Sequence, residues 1–221
     1  LGTILSLLKY NRTLEAESDA MGVRLLAEAG YDPMSMSETW EQLIGELDLS
    51  ARYRRKRRER DFSIFATHPS PDARLKDLRI SAAEVSQPGK VYNAYRERYL
   101  TKLATIRPIL LDDQVKLNDP GASQYIIDTL AKDGWNGLLR YHEGEIWRLR
   151  NSQSKGDEAR AAQGYAAAVM YPDAPPDAWR WHGVMLLKQG RAAEARAAFA
   201  RYLKLSPNAP DAALVRQMVT G

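Results

Sequence analysis

The chemically loaded stretch lies near the start of the chain, in Asn11-Arg12-Thr13-Leu14-Glu15-Ala16-Glu17-Ser18-Asp19-Ala20-Met21-Gly22. On a helix Glu15 and Asp19 stand four residues apart and share a face. Arg12 lies three residues before Glu15, and Glu17 points to roughly the opposite side. Gly22 leaves room for another helix to approach. Spacing alone leaves two readings open. One is an exposed helix with an Arg12–Glu15 ion pair; the other is a pair of carboxylates presented together for chemistry. Any metal or acid–base chemistry must draw on carboxylates and on three histidines, His68, His142 and His182, because the chain has no cysteine. Thiol, disulfide and cysteine-rich zinc chemistry are excluded. His68 sits in Thr67-His68-Pro69-Ser70-Pro71, where the prolines exclude a regular helix. His142 and His182 flank two glycines of a repeat described below and read as packing or surface residues.

The elements that must position these residues are predicted to be helices. Leu5, Leu8, Leu14, Met21, Leu25 and Leu26 recur at helical spacing, and Gly30, with Pro33 soon after, is a stop signal. Asp32-Pro33 opens a second helix with Met36, Trp40, Leu43, Ile44 and Leu47 on one face. The run Arg52, Arg54, Arg55, Lys56, Arg57, Arg58 and Arg60 reads as a solvated linker or exposed helix face, with an anion contact as the alternative. Only Tyr53 interleaves with it, so there is no stacking platform for single strands. A short helix is expected at about Asp72–Arg79. Ser86-Gln87-Pro88-Gly89 is the clearest break, which divides the chain into 1–86 and 90–221. Beyond it the pattern predicts one long amphipathic helix over Val91–Leu110. A turn at Asn118–Gly121 follows, then a helix over Ala122–Lys132 ended by Gly134. No stretch alternates with period two, so the fold class is all-α.

Composition agrees with a globular chain. Of 221 residues, 44% are hydrophobic, and 32 Lys+Arg against 28 Asp+Glu leave a formal net charge of +4. That excess is too small to argue for nucleic acid. No apolar run approaches the roughly 18 residues that a membrane helix needs, so membrane contact is peripheral at most.

The C-terminal third repeats itself. Trp179, Gly183, Leu186, Gly190, Ala195, Phe199, Tyr202 and Pro207 follow one another at spacings of 4, 3, 4, 5, 4, 3 and 5. This is the tetratricopeptide (TPR) pattern. Gly183 and Ala195 let two antiparallel helices come close, Trp179 and Phe199 fill the space between pairs, and Pro207 stops the second helix. The frame returns upstream in Gly144, Trp147, Gly156, Ala161, Tyr165, Ala168 and Pro172. There the turn between helices is about five residues longer, at Asn151–Lys155. The helices between Val91 and Leu139 are expected to supply a degenerate first unit.

The segment around Glu15 resembles the third-ligand helix of the HtpX/BepA-type zinc metallopeptidases. Their signature reads Ser/Asn-Arg-x-x-Glu-x-x-Ala-Asp-x-x-Gly. Asn11, Arg12, Glu15, Asp19 and Gly22 match it, and Ser18 replaces the usual Ala. Ala29-Gly30-Tyr31-Asp32-Pro33, an amphipathic helix, a charged loop, Thr67-His68-Pro69 and then Arg74 follow in the same order as in that family. Its periplasmic members often carry C-terminal TPR repeats. The resemblance implies a helical C-terminal part of a metallopeptidase domain followed by a TPR-like helical repeat domain. It implies Glu15 as a zinc ligand and Asp19 as a carboxylate that orients a ligand histidine. His68 would be able to approach the open metal position. It further implies a zinc-dependent endopeptidase of bacterial envelope protein quality control, a periplasmic location, protein or peptide substrates and a protein partner for the TPR region. The chain departs from the family in having no H-E-x-x-H. That helix would fall before Leu1, so the chain is expected to be a C-terminal part that is metal-free and inactive alone. The competing expectation is a non-catalytic TPR protein-binding module whose acidic helix is ordinary surface.

Overall fold

The computed structural model describes residues 2–55, 70–150 and 155–220, with side chains from residue 12 onward. The described residues are helical, with no strand among them. They form two compact units, Leu1–Thr105 and Ile106–Gly221.

The first unit starts with α1 (Gly2–Glu28), α2 (Ser35–Tyr53) and α3 (Pro71–Val85). Gly30 takes φ 83°, and the Gly30 and Tyr31 amides donate to the Ala27 and Leu26 carbonyls. This left-handed stop ends α1 where the sequence predicts. Asp32 Oδ1 then accepts from the Met34 amide at 2.9 Å, and α2 follows. Ser70 Oγ accepts from the Ala73 amide at 3.2 Å, with Pro71 at the first helical position, so α3 has a capped start. The helix runs six residues beyond the predicted end at Arg79. Leu78, Ala82 and Val85, spaced 4 and 3, carry one apolar face onward. This face packs α3 against both α1 and α2. Val23, Leu78 and Ala82 are fully buried at the seam, with Met34, Met36, Trp40 and Val85 around them.

The single helix predicted over Val91–Leu110 is not formed. Residues 86–95 are irregular, and α4 (Arg96–Leu103) and α5 (Arg107–Lys116) are separate helices. Pro108 accounts for the break between α4 and α5: with no amide to donate back to the Ala104 carbonyl, it can open α5 but not continue α4. The irregular segment belongs with the first unit. Lys90 Nζ donates to the Ala27 carbonyl and the Asn93 amide to the Gly30 carbonyl, each at 3.1 Å. The Tyr31 and Tyr95 rings meet edge to face at 5.1 Å.

The second unit continues with α6 (Pro120–Leu130), α7 (Gly137–Leu149), α8 (Lys155–Ala168), α9 (Pro176–Lys188), α10 (Ala192–Leu205) and α11 (Ala212–Thr220). Gly134, at φ 117°, stops the short 3-10 turn after α6. Helices α7 and α8 pack as one hairpin and α9 and α10 as another; α8 meets α9, and α11 covers α10. Both hairpins close by the same device. A Cβ on Gly144 would lie 2.7 Å from the Tyr165 ring, and one on Gly183 would lie 2.7 Å from the Phe199 ring. Gly156 departs from its predicted turn position and lies inside the first turn of α8, whereas Gly190 is a true turn glycine at φ 76°. Of the longer turn expected at Asn151–Lys155, residues 151–154 lie outside the described residues, and Lys155 is helical, in α8.

Candidate active site

The acidic pair of α1 faces α3. Asp19 is 8% exposed, and both of its oxygens are held by Arg74 from α3. Arg74 Nε donates to Oδ2 at 2.8 Å, and Nη2 donates to Oδ1 at 2.6 Å. This is the bidentate fork that guanidinium and carboxylate geometry favours. The third nitrogen, Nη1, lies 3.7 Å from Glu15 Oε2. One arginine thus sits between two carboxylates one helical turn apart. Its guanidinium lies over the Trp40 ring of α2, 4.3 Å from the centroid. Glu15 is half-buried, with a quarter of its side chain exposed.

The sequence reading of this face is correct for Glu15 and Asp19, which share it. It did not foresee a cation from another helix on this face: Arg74 of α3 lies beside Glu15. The close approach expected at Gly22 is not required there, since a Cβ would make only ordinary contact with the flexible Met36 side chain, 3.4 Å from Cε. His68 lies outside the described residues, as does most of the basic run, from residue 56 on. Sequence reasoning missed the Arg74 clamp and the place of Trp40 beneath it. Arg74 is separated from Asp19 by 55 residues, and no local periodicity carries that information.

Among the described residues no group of three or more histidines, cysteines or carboxylates could hold a metal ion. Glu15 and Asp19 do not fit a zinc by themselves, because a catalytic zinc takes three protein ligands. Asp19, committed by both oxygens to Arg74, is the less suited of the two to bind an ion directly.

Polar groups in the second unit are engaged structurally. Glu145 of α7, 5% exposed, accepts from Arg148 and from the Tyr165 hydroxyl, the latter at 2.5 Å. Burial and the Glu145 charge push the Tyr165 hydroxyl far above its ordinary range. His142 is 1% exposed, with Nδ1 2.8 Å from the Leu138 carbonyl and Nε2 2.9 Å from Asp112 Oδ1. His182 borders a crevice of about 270 Å³ between α8 and α9, with Ala162, Gln163, Met185 and Gln189. Burial, then the charge of Arg191, lowers its pKa. His142 is thus a packed residue of the second unit, one of the two placements, packing or surface, expected for these histidines.

Comparison with known proteins bears on the first unit. Residues 1–82 match the model of peptidase family M48. The chain is 30% identical over 161 residues to the beta-barrel assembly-enhancing proteases of Escherichia coli and Shigella flexneri, covering 72% of this chain and 29% of each relative. The corresponding protease of Yersinia pestis is 30% identical over 154 residues, 70% of this chain and 28% of the relative. The chain therefore spans less than a third of the length of these relatives. No solved structure matches. No described helix is long and apolar enough to cross a membrane. The matched segment contains α1, α2 and α3 as far as Ala82, and so the whole Glu15–Asp19–Arg74 cluster. Over residues 1–82 the chain belongs to peptidase family M48, and it is of the type represented by the beta-barrel assembly-enhancing proteases.

Proposed function

We propose that the chain is the C-terminal portion of a zinc-dependent metalloendopeptidase acting in bacterial envelope protein quality control. Residues 1–86 form the C-terminal part of the peptidase domain, and the later helices form a TPR-like repeat. The observation that carries this reading is the arrangement on α1. Glu15 is presented half-buried one turn before Asp19, and Asp19 is fixed by Arg74. Glu15 is the zinc ligand supplied by this chain. Two histidines and the general base come from an H-E-x-x-H helix that this sequence does not contain. A zinc held by Glu15 together with those histidines would supply Lewis-acid activation of water toward a peptide carbonyl. Asp19 holds the α1–α3 seam in register through Arg74 and orients a ligand histidine. His68 is assigned to the same site by the family resemblance alone. Alone, the chain is metal-free and inactive.

The repeat reading is supported by the shared glycine-on-aromatic contact of Gly144 with Tyr165 and Gly183 with Phe199. Such repeats offer a protein partner a continuous helical face. The location is periplasmic, the substrate is a protein or peptide, and nucleic acid is not a partner. The test is Glu15→Gln in a chain that carries H-E-x-x-H ahead of α1, with bound zinc and peptide hydrolysis both measured. Loss of both is expected. Zinc retained at the wild-type level would overturn the ligand assignment. Wild-type protein without zinc or hydrolysis would favour the non-catalytic binding module.

A further inference from the structure

The Arg74 guanidinium has three nitrogens directed at two carboxylates. Nε and Nη2 serve Asp19 at 2.8 and 2.6 Å, and Nη1 lies 3.7 Å from Glu15. A planar fork can meet both carboxylates only at one tilt. Rotation about its long stem would trade the Asp19 bonds against the Glu15 approach. Trp40 lies beneath the guanidinium at 4.3 Å, and it is itself packed against the buried cluster of Val23, Leu78 and Ala82. An aromatic face attracts the cation and restricts it to a stacked plane, and arginine is the cation best suited to this. Trp40 comes from α2, whereas the carboxylates come from α1 and the arginine from α3. The stack therefore joins all three helices at the one place where the acidic pair is held.

We infer that Trp40 is a positioning residue: its ring sets the plane of Arg74, and through Arg74 the placement of Asp19 and Glu15. The inference rests on the reading of Glu15 as a metal ligand only for its consequence on turnover. Its structural half, control of Arg74 by the Trp40 face, stands apart from that reading.

The test compares Trp40→Leu with Trp40→Phe. Leucine keeps an apolar plug without an aromatic face; phenylalanine keeps the face. In this chain, solvent exchange of the Arg74 Nε–H is followed by NMR. In the protein extended through H-E-x-x-H, zinc content, kcat and KM are followed on a peptide substrate. Trp40→Leu is expected to speed Arg74 Nε–H exchange about tenfold, the equivalent of losing one partly desolvated cation–π contact. It is expected to lower kcat by about ten- to a hundredfold with KM little changed, because a sub-ångström misplacement of a ligand costs turnover rather than binding. Trp40→Phe is expected to restore most of both. Exchange unchanged in a folded Trp40→Leu protein would overturn the inference. Equal defects in Phe and Leu variants would overturn it too, since only core volume would then matter. Failure of the extended wild type to hydrolyse peptides would instead refute the functional reading, and the exchange measurement would still decide the role of Trp40.

Discussion

Replacing Gly183 by alanine tests the packing of the second unit most directly. The added Cβ would lie 2.7, 2.8 and 3.0 Å from Cε1, Cδ1 and Cζ of Phe199, where ordinary contact begins at 3.4 Å. A whole ring edge must retreat by several tenths of an ångström. Phe199 has no room to do so cheaply. It is fully buried among Leu186, Ala195, Ala198, Tyr202 and Val215. Overpacking of this kind costs about 1–3 kcal/mol, and a rigid ring pushed along one edge belongs near the top of that range. Against it stands the helix preference for alanine over glycine, about 1 kcal/mol. The expected net loss is about 2 kcal/mol, which at a typical urea dependence lowers the unfolding midpoint by about 1 M. The assay is urea unfolding of the whole 221-residue chain, with Phe199→Leu and the double variant alongside. Leucine removes the ring edge that alanine strikes, so the double variant should be no less stable than Phe199→Leu alone. Gly190→Ala serves as contrast. Nothing lies within 4 Å of a Cβ there, but φ is +76°, so its cost is backbone strain that Phe199→Leu leaves unrelieved. A midpoint that rises in Gly183→Ala, as propensity alone would dictate, would refute the close approach of α9 and α10.

The buried network of the first hairpin makes a second case. Glu145→Ala strands the Tyr165 hydroxyl and the partly buried Arg148, and should cost about 3–5 kcal/mol by denaturant unfolding; a loss under about 1 kcal/mol would show that the network is not formed. In the first unit, Asp19→Asn removes the acceptor charge from Arg74 and should lower stability by about 2–3 kcal/mol, with Trp40 fluorescence reporting the rearrangement. His182 contributes a pH dependence. Its pKa is lowered in the fold by burial and by Arg191, so between the folded value and the ordinary imidazole value the unfolded chain binds more protons. The His182 contribution is then fully present above about pH 6.5 and is lost as the pH falls below it. His182→Gln should flatten that acid limb in pH-resolved thermal unfolding; an unchanged slope would remove His182 from the account.

What was legible in the sequence divides by how far apart the interacting residues lie. Gly30, Asp32, Ser70-Pro71 and Gly134 act within three or four residues of themselves, and each ends or starts a helix where its type predicts. Pro108 acts just as locally and was legible too. The long helix expected over Val91–Leu110 gave apolar spacing more weight than a missing amide, and the chain obeys the amide. The end of α3 failed for the opposite reason. No stop signal stands at Arg79, and burial of Leu78 and Ala82 against α1 and α2 carries the helix to Val85.

The site follows the same rule. Glu15 and Asp19 share a face because four residues make about one helical turn, a fact of the backbone alone. Which cation they meet depends on the packing of α3. Arg74, far in sequence, reaches both carboxylates and stacks on Trp40, and no local spacing announces it. A repeat is the one situation in which distant contacts become readable, because one copy predicts the other. Gly144 and Tyr165 stand 21 residues apart and Gly183 and Phe199 stand 16 apart, yet both pairs close at the same distance. The extra residues of the first copy are not all turn, as its spacing suggested: Lys155 and Gly156 are already helical, so Tyr165 lies deeper into α8 than Phe199 lies into α10. The Asp19–Arg74–Trp40 cluster has no second copy in the chain. Three helices had to be packed before it could be seen, and so the residue that orients the acidic pair looked, in sequence, like one more apolar position on α2.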